Sequence, residues 1–278
     1  MKRLLLIIFS YVLASCSFDE SSLKIKGSDT EVNLTVELAE KFYATNDNIS
    51  LAVSGGGSGL GIASLYNGQA DIANSSRPLS EDEINMFAEK GVVLRTHVFA
   101  EDATAIVINP SIPIEEIDVE TLSKILSGQI TNWKEITDTD LRINIYGRQS
   151  NSGTHSFIQS KLKIKFSPKS KEMNGNAQIM EGIKADPSGI GYVGAGYLLN
   201  EDENAMKVKP LRIKENKNSI SISPLDHEAI KAKSYFFQRP LYQFIPEKSW
   251  EKVKSFIDFE ETKTGKDIIR KSGYYVVE

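Results

Sequence analysis

Three short segments of the chain carry the residue types that bind small anions. They are residues 27–30, 54–59 and 148–154, which read GSDT, SGGGSG and RQSNSGT. Each follows a strand-like run, is rich in small residues with hydroxyl or amide groups, and precedes a helix-like run. Such a loop directs backbone N–H groups and hydroxyls to one point, with the positive end of a helix dipole behind them. Three of these loops in one chain predict a pocket for a tetrahedral anion.

The third loop has the most informative spacing, because it also carries an arginine. Arg148 ends a predicted strand and can direct two N–H donors to a single oxyanion. Residues 152–154 then begin a predicted helix, whose first N–H groups have no partner inside the helix and face the same point. An arginine beside a helix N-cap is also common on protein surfaces, so the spacing alone is compatible with either interpretation.

A fourth segment, residues 75–78 with the sequence SSRP, follows a predicted strand in the same topological position. Ser76 could supply a hydroxyl donor to the anion, and Arg77 could supply a second guanidinium. A type I turn in which Pro78 fixes the exit of the chain explains the same residues equally well.

Other motifs are weaker. The GxGxxG pattern at residues 189–194 lies within a predicted strand and lacks the strand-before, helix-after context of a dinucleotide site. His97, His155 and His227 have no metal-ligand spacing, so we expect no metal and no cofactor. Ser152 and His155 could meet on one helical face as a nucleophile and base. Without an evident orienting acid, a phosphohydrolase is only an alternative function.

The composition is that of a soluble two-domain protein without affinity for nucleic acid. The chain has 278 residues, longer than a single hydrophobic core usually supports. Its formal net charge of −4 gives no basic face for a polyanion. A buried site for a small anion is compatible with this charge, because it depends on local donors.

The N-terminus reads as a processed leader. Lys2 and Arg3 precede an apolar run at residues 4–12 that is too short to span a bilayer. The sequence LASC at residues 13–16 then resembles a bacterial lipoprotein processing site. We therefore expect a signal peptide at residues 1–15, a lipid on Cys16 and a polar tether at residues 16–22. Cys16 is the only cysteine, which excludes a disulfide framework.

The pattern of elements predicts an α/β fold. Strands at residues 23–26, 49–54 and 70–74 alternate with helices at residues 32–43 and 60–66, which is the order of parallel strands joined by crossovers. A capping box formed by Ser28 and Glu31, and a cap from Ser58, are expected to begin the two helices. A second capping box, from Ser80 and Glu83, is expected to begin a third helix.

Two domains are predicted from a break in the strand pattern. Strands at residues 92–99 and 103–109 are parted by residues 100–102, where we place the first crossover between domains. One lobe then comprises residues 23–100 and 238–278, and the other comprises residues 101–237. The hinge is expected at residues 100–103 and 235–238.

Several segments together resemble a known family, the phosphate-binding lipoproteins of bacterial high-affinity phosphate ABC importers. Besides the three loops, the resemblance includes DIANSSRPL at residues 71–79, VINP at 107–110, LSKILSGQITNW at 122–133 and FIDF at 256–259. It extends from about residue 23 to the C-terminus. The family implies a type II periplasmic-binding-protein fold, in which two lobes, each a mixed, mainly parallel sheet flanked by helices, close on a ligand in the cleft.

The resemblance also implies ligand positions. Combined with the SSRP segment, it gives as candidate phosphate ligands Ser28, Asp29, Thr30, Ser58, Ser76, Arg77, Arg148, Ser152, Gly153 and Thr154. One departure is that Ser76 stands where better-known members have an aspartate that accepts a proton from phosphate. We expect Asp29 to serve as that acceptor, the alternative being an N-cap carboxylate of the following helix.

The implied function is that of an extracytoplasmic binding protein rather than an enzyme. It captures inorganic phosphate and delivers it to the permease of an ABC importer, as a monomer held to a bacterial membrane only by its lipid. Two alternatives are the same fold binding sulfate, molybdate or tungstate, and a phosphate-sensing or adhesive surface lipoprotein.

Overall fold

The computed structural model describes residues 22–46, 49–198 and 207–277. The predicted leader, Cys16 and residues 16–21 of the tether lie outside these ranges. The strands are β1 (Leu23–Gly27), β2 (Leu51–Ser54), β3 (Ile72–Ser75), β4 (Leu94–Ile108), β5 (Glu116–Asp118), β6 (Asn144–Arg148), β7 (Lys171–Met173), β8 (Gly189–Gly194), β9 (Lys209–Pro210), β10 (Arg212–Lys214) and β11 (Gln238–Pro246). The helices are α1 (Val32–Tyr43), α2 (Ser58–Tyr66), α3 (Glu81–Glu89), α4 (Val119–Leu126), α5 (Gly153–Leu162), α6 (Asn176–Ala185), α7 (His227–Lys231), α8 (Trp250–Glu260) and α9 (Lys263–Lys271).

The main sheet is mixed, with the strand order β2-β1-β3-β11-β4-β8-β6-β7 and β9 beside β4. The first three strands run parallel to one another, and so do β6, β7 and β8. Strand β11 is antiparallel to both β3 and β4, and β4 is antiparallel to β8. Two parallel groups are thus joined through a central antiparallel pair. This confirms the two-lobed α/β fold expected of periplasmic binding proteins.

Strand β4 belongs to both lobes. Residues 94–103 of this strand pair with β11, and residues 104–108 pair with β8. The prediction of two strands separated at residues 100–102 is therefore wrong, because one continuous strand of 15 residues passes through this region. The polar residues that suggested a break include Asp102, which is fully buried against Arg239 of β11. The domain boundaries at residues 100/101 and 237/238 stay predictions.

Each lobe has its own hydrophobic core. In the first lobe, α1 and α8 pack on the sheet, and the Phe42 and Phe256 rings meet edge to face at 5.5 Å. In the second lobe, Trp133 is fully buried among aliphatic side chains of β4, β8 and α4. Its indole nitrogen donates to the carbonyl of Ser188 at 3.0 Å, which satisfies its polar group. The two cores make each lobe a rigid support for the loops at the ends of its strands.

Two of the three predicted helix caps are wrong. Ser80 and Glu83 form the expected capping box of α3, and Ser152 caps α5. In contrast, α1 has no side-chain cap, and Ser58 lies inside α2 rather than capping it. The hydroxyls of Ser28 and Ser58 are directed elsewhere, as described below.

None of the described helices, the longest of which has 12 residues, is long and apolar enough to cross a bilayer.

A buried acid at the end of α8 predicts a pH-dependent stability. Burial raises the pKa of Glu260 to about 8, although Gln243 donates a hydrogen bond to its carboxylate. An acid that binds its proton more tightly in the folded chain loses stability as the pH rises, here between pH 4.5 and about pH 8. We expect Glu260→Gln to raise the melting temperature by several degrees at pH 9 and to change it little at pH 4.5.

Thermal unfolding followed by circular dichroism checks this prediction. The matched control is Asp258→Asn, which alters an exposed carboxylate of the same helix and should give a small shift at both pH values. An equal effect of Glu260→Gln at both pH values would contradict the titration of Glu260.

Candidate functional site

The predicted anion loops meet where the two lobes face each other. Three of them follow the carboxyl ends of β1, β2 and β6, the edge at which open α/β sheets bind ligands. The Oγ1 atoms of Thr30 and Thr154, from opposite lobes, are 3.0 Å apart. The Asn151 side chain also donates to the carbonyl of Gly56 at 3.2 Å, which adds a second hydrogen bond between the lobes. The structure therefore shows the lobes closed on each other.

Three serine hydroxyls from the first lobe cluster in the cleft. Ser28 Oγ is 3.1 Å from Ser76 Oγ, which is 3.5 Å from Ser58 Oγ. The Ser76 backbone N–H also donates to Ser58 Oγ at 3.1 Å. All three residues are at most 3% exposed. These contacts explain why Ser28 and Ser58 do not cap helices, since their hydroxyls are held in the cleft.

The N-terminus of α5 faces this serine cluster at very close range. Ser152 caps the helix by accepting from the His155 N–H at 3.4 Å. A Cβ atom on Gly153 would lie 2.3 Å from Ser58 Oγ and 2.5 Å from Ser76 Oγ. Only glycine can approach the opposite lobe this closely in the closed structure. The first N–H groups of α5 are thereby placed beside the hydroxyls of the first lobe.

Arg148 lies at one side of the cleft and is 3% exposed. Its Nη1 atom is 3.3 Å from Asp29 Oδ2, and its Nη2 donates to the carbonyl of Asn174 at 3.0 Å. Its Nε is buried without a hydrogen-bond partner. Burial lowers the pKa of Arg148, while Asp29 acts in the opposite direction. A buried guanidinium with a free N–H is well suited to bind an oxyanion.

Asp29 connects the lobes. Besides Arg148, its Oδ2 accepts from both the backbone N–H and the side-chain amide of Asn176, each at 2.8 Å. Helix α6 begins at Asn176 and has no side-chain cap from its own N-cap residue, Gly175. Asp29 is thus an N-cap carboxylate, as the alternative interpretation allowed, but it caps a helix of the other lobe rather than the helix that follows it.

Two predicted residues have partners outside this cluster. The two terminal nitrogens of Arg77 bind the carboxylate of Glu83, each at 2.7 Å, so its guanidinium belongs to the capping region of α3. The His155 ring contacts the carbonyl of Arg148 at 3.0 Å through Nδ1 and packs at a tilt against the Phe166 ring. It is therefore not directed at the Ser152 hydroxyl, and the geometry gives no support to a hydrolytic Ser–His pair.

Arg239 lies at the floor of the cleft and is not among the residues predicted from the sequence. Its Nη2 is 3.0 Å from Thr154 Oγ1, 3.3 Å from Thr30 Oγ1 and 2.8 Å from Asp102 Oδ2. Burial raises the pKa of Asp102, and the ion pair with Arg239 opposes this shift. One signal could have identified this arginine: the triplet Arg-Pro-Leu occurs twice, at residues 77–79 and 239–241.

The arrangement can bind an oxyanion without water between the ligand and the protein. It combines buried hydroxyls, N–H groups at a helix start and one guanidinium with a free N–H. Neutral donors of this kind stabilise a divalent anion without adding excess positive charge to a closed cleft.

Comparisons with known proteins agree with this description. Residues 17–260 match the family model of the PBP superfamily domain. The phosphate-binding protein PstS of Borreliella burgdorferi is 31% identical over 289 aligned positions, which cover 99% of this chain and 98% of that protein. A phosphate ABC transporter substrate-binding protein of Clostridium perfringens, solved with bound phosphate, superimposes with a TM-score of 0.82 at 26% identity, covering 92% of this chain and all of that one.

An ABC-type phosphate transport receptor from Vibrio cholerae gives a TM-score of 0.70 at 28% identity, again over 92% of this chain and all of the other. These matches span nearly the whole described chain, and they agree with the resemblance seen in its motifs. The chain therefore belongs to the PBP superfamily and, within it, to the family of phosphate-binding proteins of ABC transporters.

Proposed function

We propose that this protein binds inorganic phosphate in the cleft between its lobes and delivers it to the permease of an ABC importer. The observation that carries the proposal is the convergence of donors from both lobes, with Ser58 and Ser76 facing Gly153 and Thr30 facing Thr154. The names of the relatives, and the bound phosphate in the Clostridium perfringens structure, support the choice of phosphate among oxyanions.

The proposed ligands are the residues whose polar groups reach the closed cleft, with Asp29 as an acceptor and the others as donors. Hydroxyls and N–H groups come from the first lobe and from the start of α5, and Arg148 supplies the guanidinium. The set comprises Ser28, Asp29, Thr30, Ser58, Ser76, Arg148, Ser152, Gly153 and Thr154. Arg77 is left out because Glu83 holds its guanidinium.

We further propose that the protein acts outside the cytoplasm as a monomer without catalytic activity. The lipoprotein-type sequence LASC ending at Cys16 supports anchoring by a lipid on that cysteine. Closure of the lobes on phosphate would then create the surface that the permease recognises.

Titration calorimetry on protein stripped of bound anions tests the function. We expect phosphate to bind at least about 100-fold more tightly than sulfate, molybdate or tungstate, since a site built to receive a ligand proton rejects an anion that lacks one. In a matching thermal-shift series, phosphate should stabilise the protein at the lowest concentration, because at a given concentration the ligand that binds the native state more tightly raises the melting temperature more. Equal or tighter binding of sulfate or molybdate would favour the alternative oxyanion function.

A separate prediction concerns Asp29 as the acceptor of the phosphate proton. Its Oδ2 is occupied by Arg148 and Asn176, so the proposal assigns the ligand proton to Oδ1. We expect Asp29→Asn to lower phosphate affinity about tenfold or more and to leave sulfate affinity less affected, which reduces the preference for phosphate. Calorimetry with both anions measures this preference.

Sulfate serves here as the internal control for lobe closure. If the variant loses the same factor of affinity for both anions, Asp29 acts only as the interlobe contact described above, and the acceptor role is wrong.

A further inference from the structure

An ion pair lies at the floor of the cleft, and it belongs to none of the predicted anion loops. Arg239 and Asp102 are directly opposite each other in the antiparallel ladder of β11 and β4. Both Nε and Nη2 of Arg239 bind the same carboxylate oxygen, Asp102 Oδ2, at 3.0 and 2.8 Å. Asp102 is fully buried and Arg239 is 3% exposed. The pair lies where β4 changes its partner from β11 to β8, on the strands that connect the lobes.

The rest of the guanidinium reaches both lobes. Nη1 donates to the carbonyl of Ser76 in the first lobe at 3.3 Å, and the guanidinium carbon lies 5.1 Å from the centre of the Phe157 ring in the second. Nη2 has two hydrogens. One is needed for Asp102, and the other is shared between the hydroxyl oxygens of Thr30 and Thr154.

This sharing fixes how the two threonines can hydrogen-bond. A hydroxyl has one donor hydrogen and two acceptor lone pairs. Since Arg239 donates to both Oγ1 atoms, one lone pair of each threonine is already used. The hydroxyl hydrogens of Thr30 and Thr154 are then directed away from the guanidinium. One of them bridges the 3.0 Å contact between the two Oγ1 atoms, which leaves the hydrogen of the other threonine free for a ligand.

We propose that Arg239 is a positioning residue of the anion site, which holds the hydroxyls of Thr30 and Thr154 together across the cleft so that a free hydroxyl hydrogen is presented to the ligand. The inference rests on the proposed function, because it assigns the donors to bound phosphate. Asp102 neutralises the guanidinium, so Arg239 affects the affinity through orientation rather than through added net charge. Because Arg239 lies on β11, it can contact both threonines at the same time only when the lobes are closed.

The test removes the ion pair without leaving a buried charge unpaired. In the double variant Arg239→Met with Asp102→Leu, apolar side chains replace both charges, an exchange that folded proteins tolerate well. We expect the variant to fold and to bind phosphate about 10- to 100-fold more weakly by calorimetry. The matched control is Arg95→Met with Glu247→Leu, an exposed pair at the other end of β4 and β11, which should not change the affinity. Wild-type affinity in the Arg239 and Asp102 variant would overturn the proposal.

A coupling measurement separates positioning from a purely structural role. Thr154→Val should weaken phosphate binding strongly in the wild-type protein and much less in the double variant, where the Thr154 hydroxyl is no longer oriented. Equal effects in the two backgrounds would show that Arg239 does not act through Thr154.

The single variant Arg239→Lys keeps the proposal testable if the double variant fails to fold. Lysine can keep the ion pair with Asp102 but lacks the planar guanidinium that holds one nitrogen, Nη2, against both threonines. We expect a loss of affinity despite a retained melting temperature, whereas full rescue would assign Arg239 to the ion pair alone. If the wild-type protein binds no phosphate in the same experiment, the proposed function fails rather than this inference.

Discussion

Replacing Arg148 with alanine should lower the affinity for phosphate by about a thousandfold, because truncating one partner of a buried, charge-assisted contact costs about 2–5 kcal/mol. The buried Nε of this residue has no partner in the protein, which leaves it available to the ligand. The melting temperature of the ligand-free variant should stay within a few degrees of the wild type. Asp29 loses one contact but keeps both donors of Asn176.

Calorimetry and thermal unfolding check this prediction together. Arg142→Ala serves as the control, since Arg142 is exposed and precedes the same strand. A variant of Arg148 that binds phosphate as tightly as the wild type would remove the guanidinium from the site, and with it the main charge interaction of the proposed function.

Replacing Gly153 with alanine should reduce phosphate affinity about 100-fold or more by a steric effect alone. The added methyl group would lie 2.3 Å from Ser58 Oγ and 2.5 Å from Ser76 Oγ, so the lobes could not close to the same distance. The clash lies between the lobes and not within either of them. Because alanine is the best helix former, the ligand-free protein should be as stable as the wild type or slightly more stable.

Small-angle scattering together with calorimetry measures both parts of this effect. The wild type should become more compact on adding phosphate, and Gly153→Ala should not. Ser160→Ala, on the exposed side of the same helix, should behave as the wild type does. Normal compaction and affinity in the glycine variant would mean that the ligand-bound cleft is wider than the closed structure.

The sequence predicted regular elements well and the roles of polar residues at their ends less well. The bounds of α1 agree with the predicted range, residues 32–43, because its apolar spacing can be read from the local sequence. Ser28 and Ser58 have the residue type and position of helix caps, yet both hydroxyls serve the cleft. Local rules fail at these two positions because the competing partner, Ser76, is brought close only by the tertiary fold.

Long-range pairing explains the other differences. Helix α6 was not predicted because its N-terminal cap is Asp29, which is 147 residues earlier in the chain. Strand β4 was divided in the prediction because acidic residues are rarely buried, and the partner that buries Asp102 is 137 residues away. The spacing of apolar residues along the chain does not indicate contacts between residues so far apart in the sequence. Arg239 was missed for the same reason, although its Arg-Pro-Leu triplet repeats the one at residues 77–79.

The continuous ladder of β4 and β11 has a consequence for the path of lobe motion. A two-stranded ribbon resists bending within its own plane but twists readily, and the register shift between Leu241 and Tyr242 adds local twist at this place. We therefore expect the lobes to swing along one preferred arc about this ribbon rather than to slide past each other. One pair of distance labels, with one label on each lobe, would follow that motion.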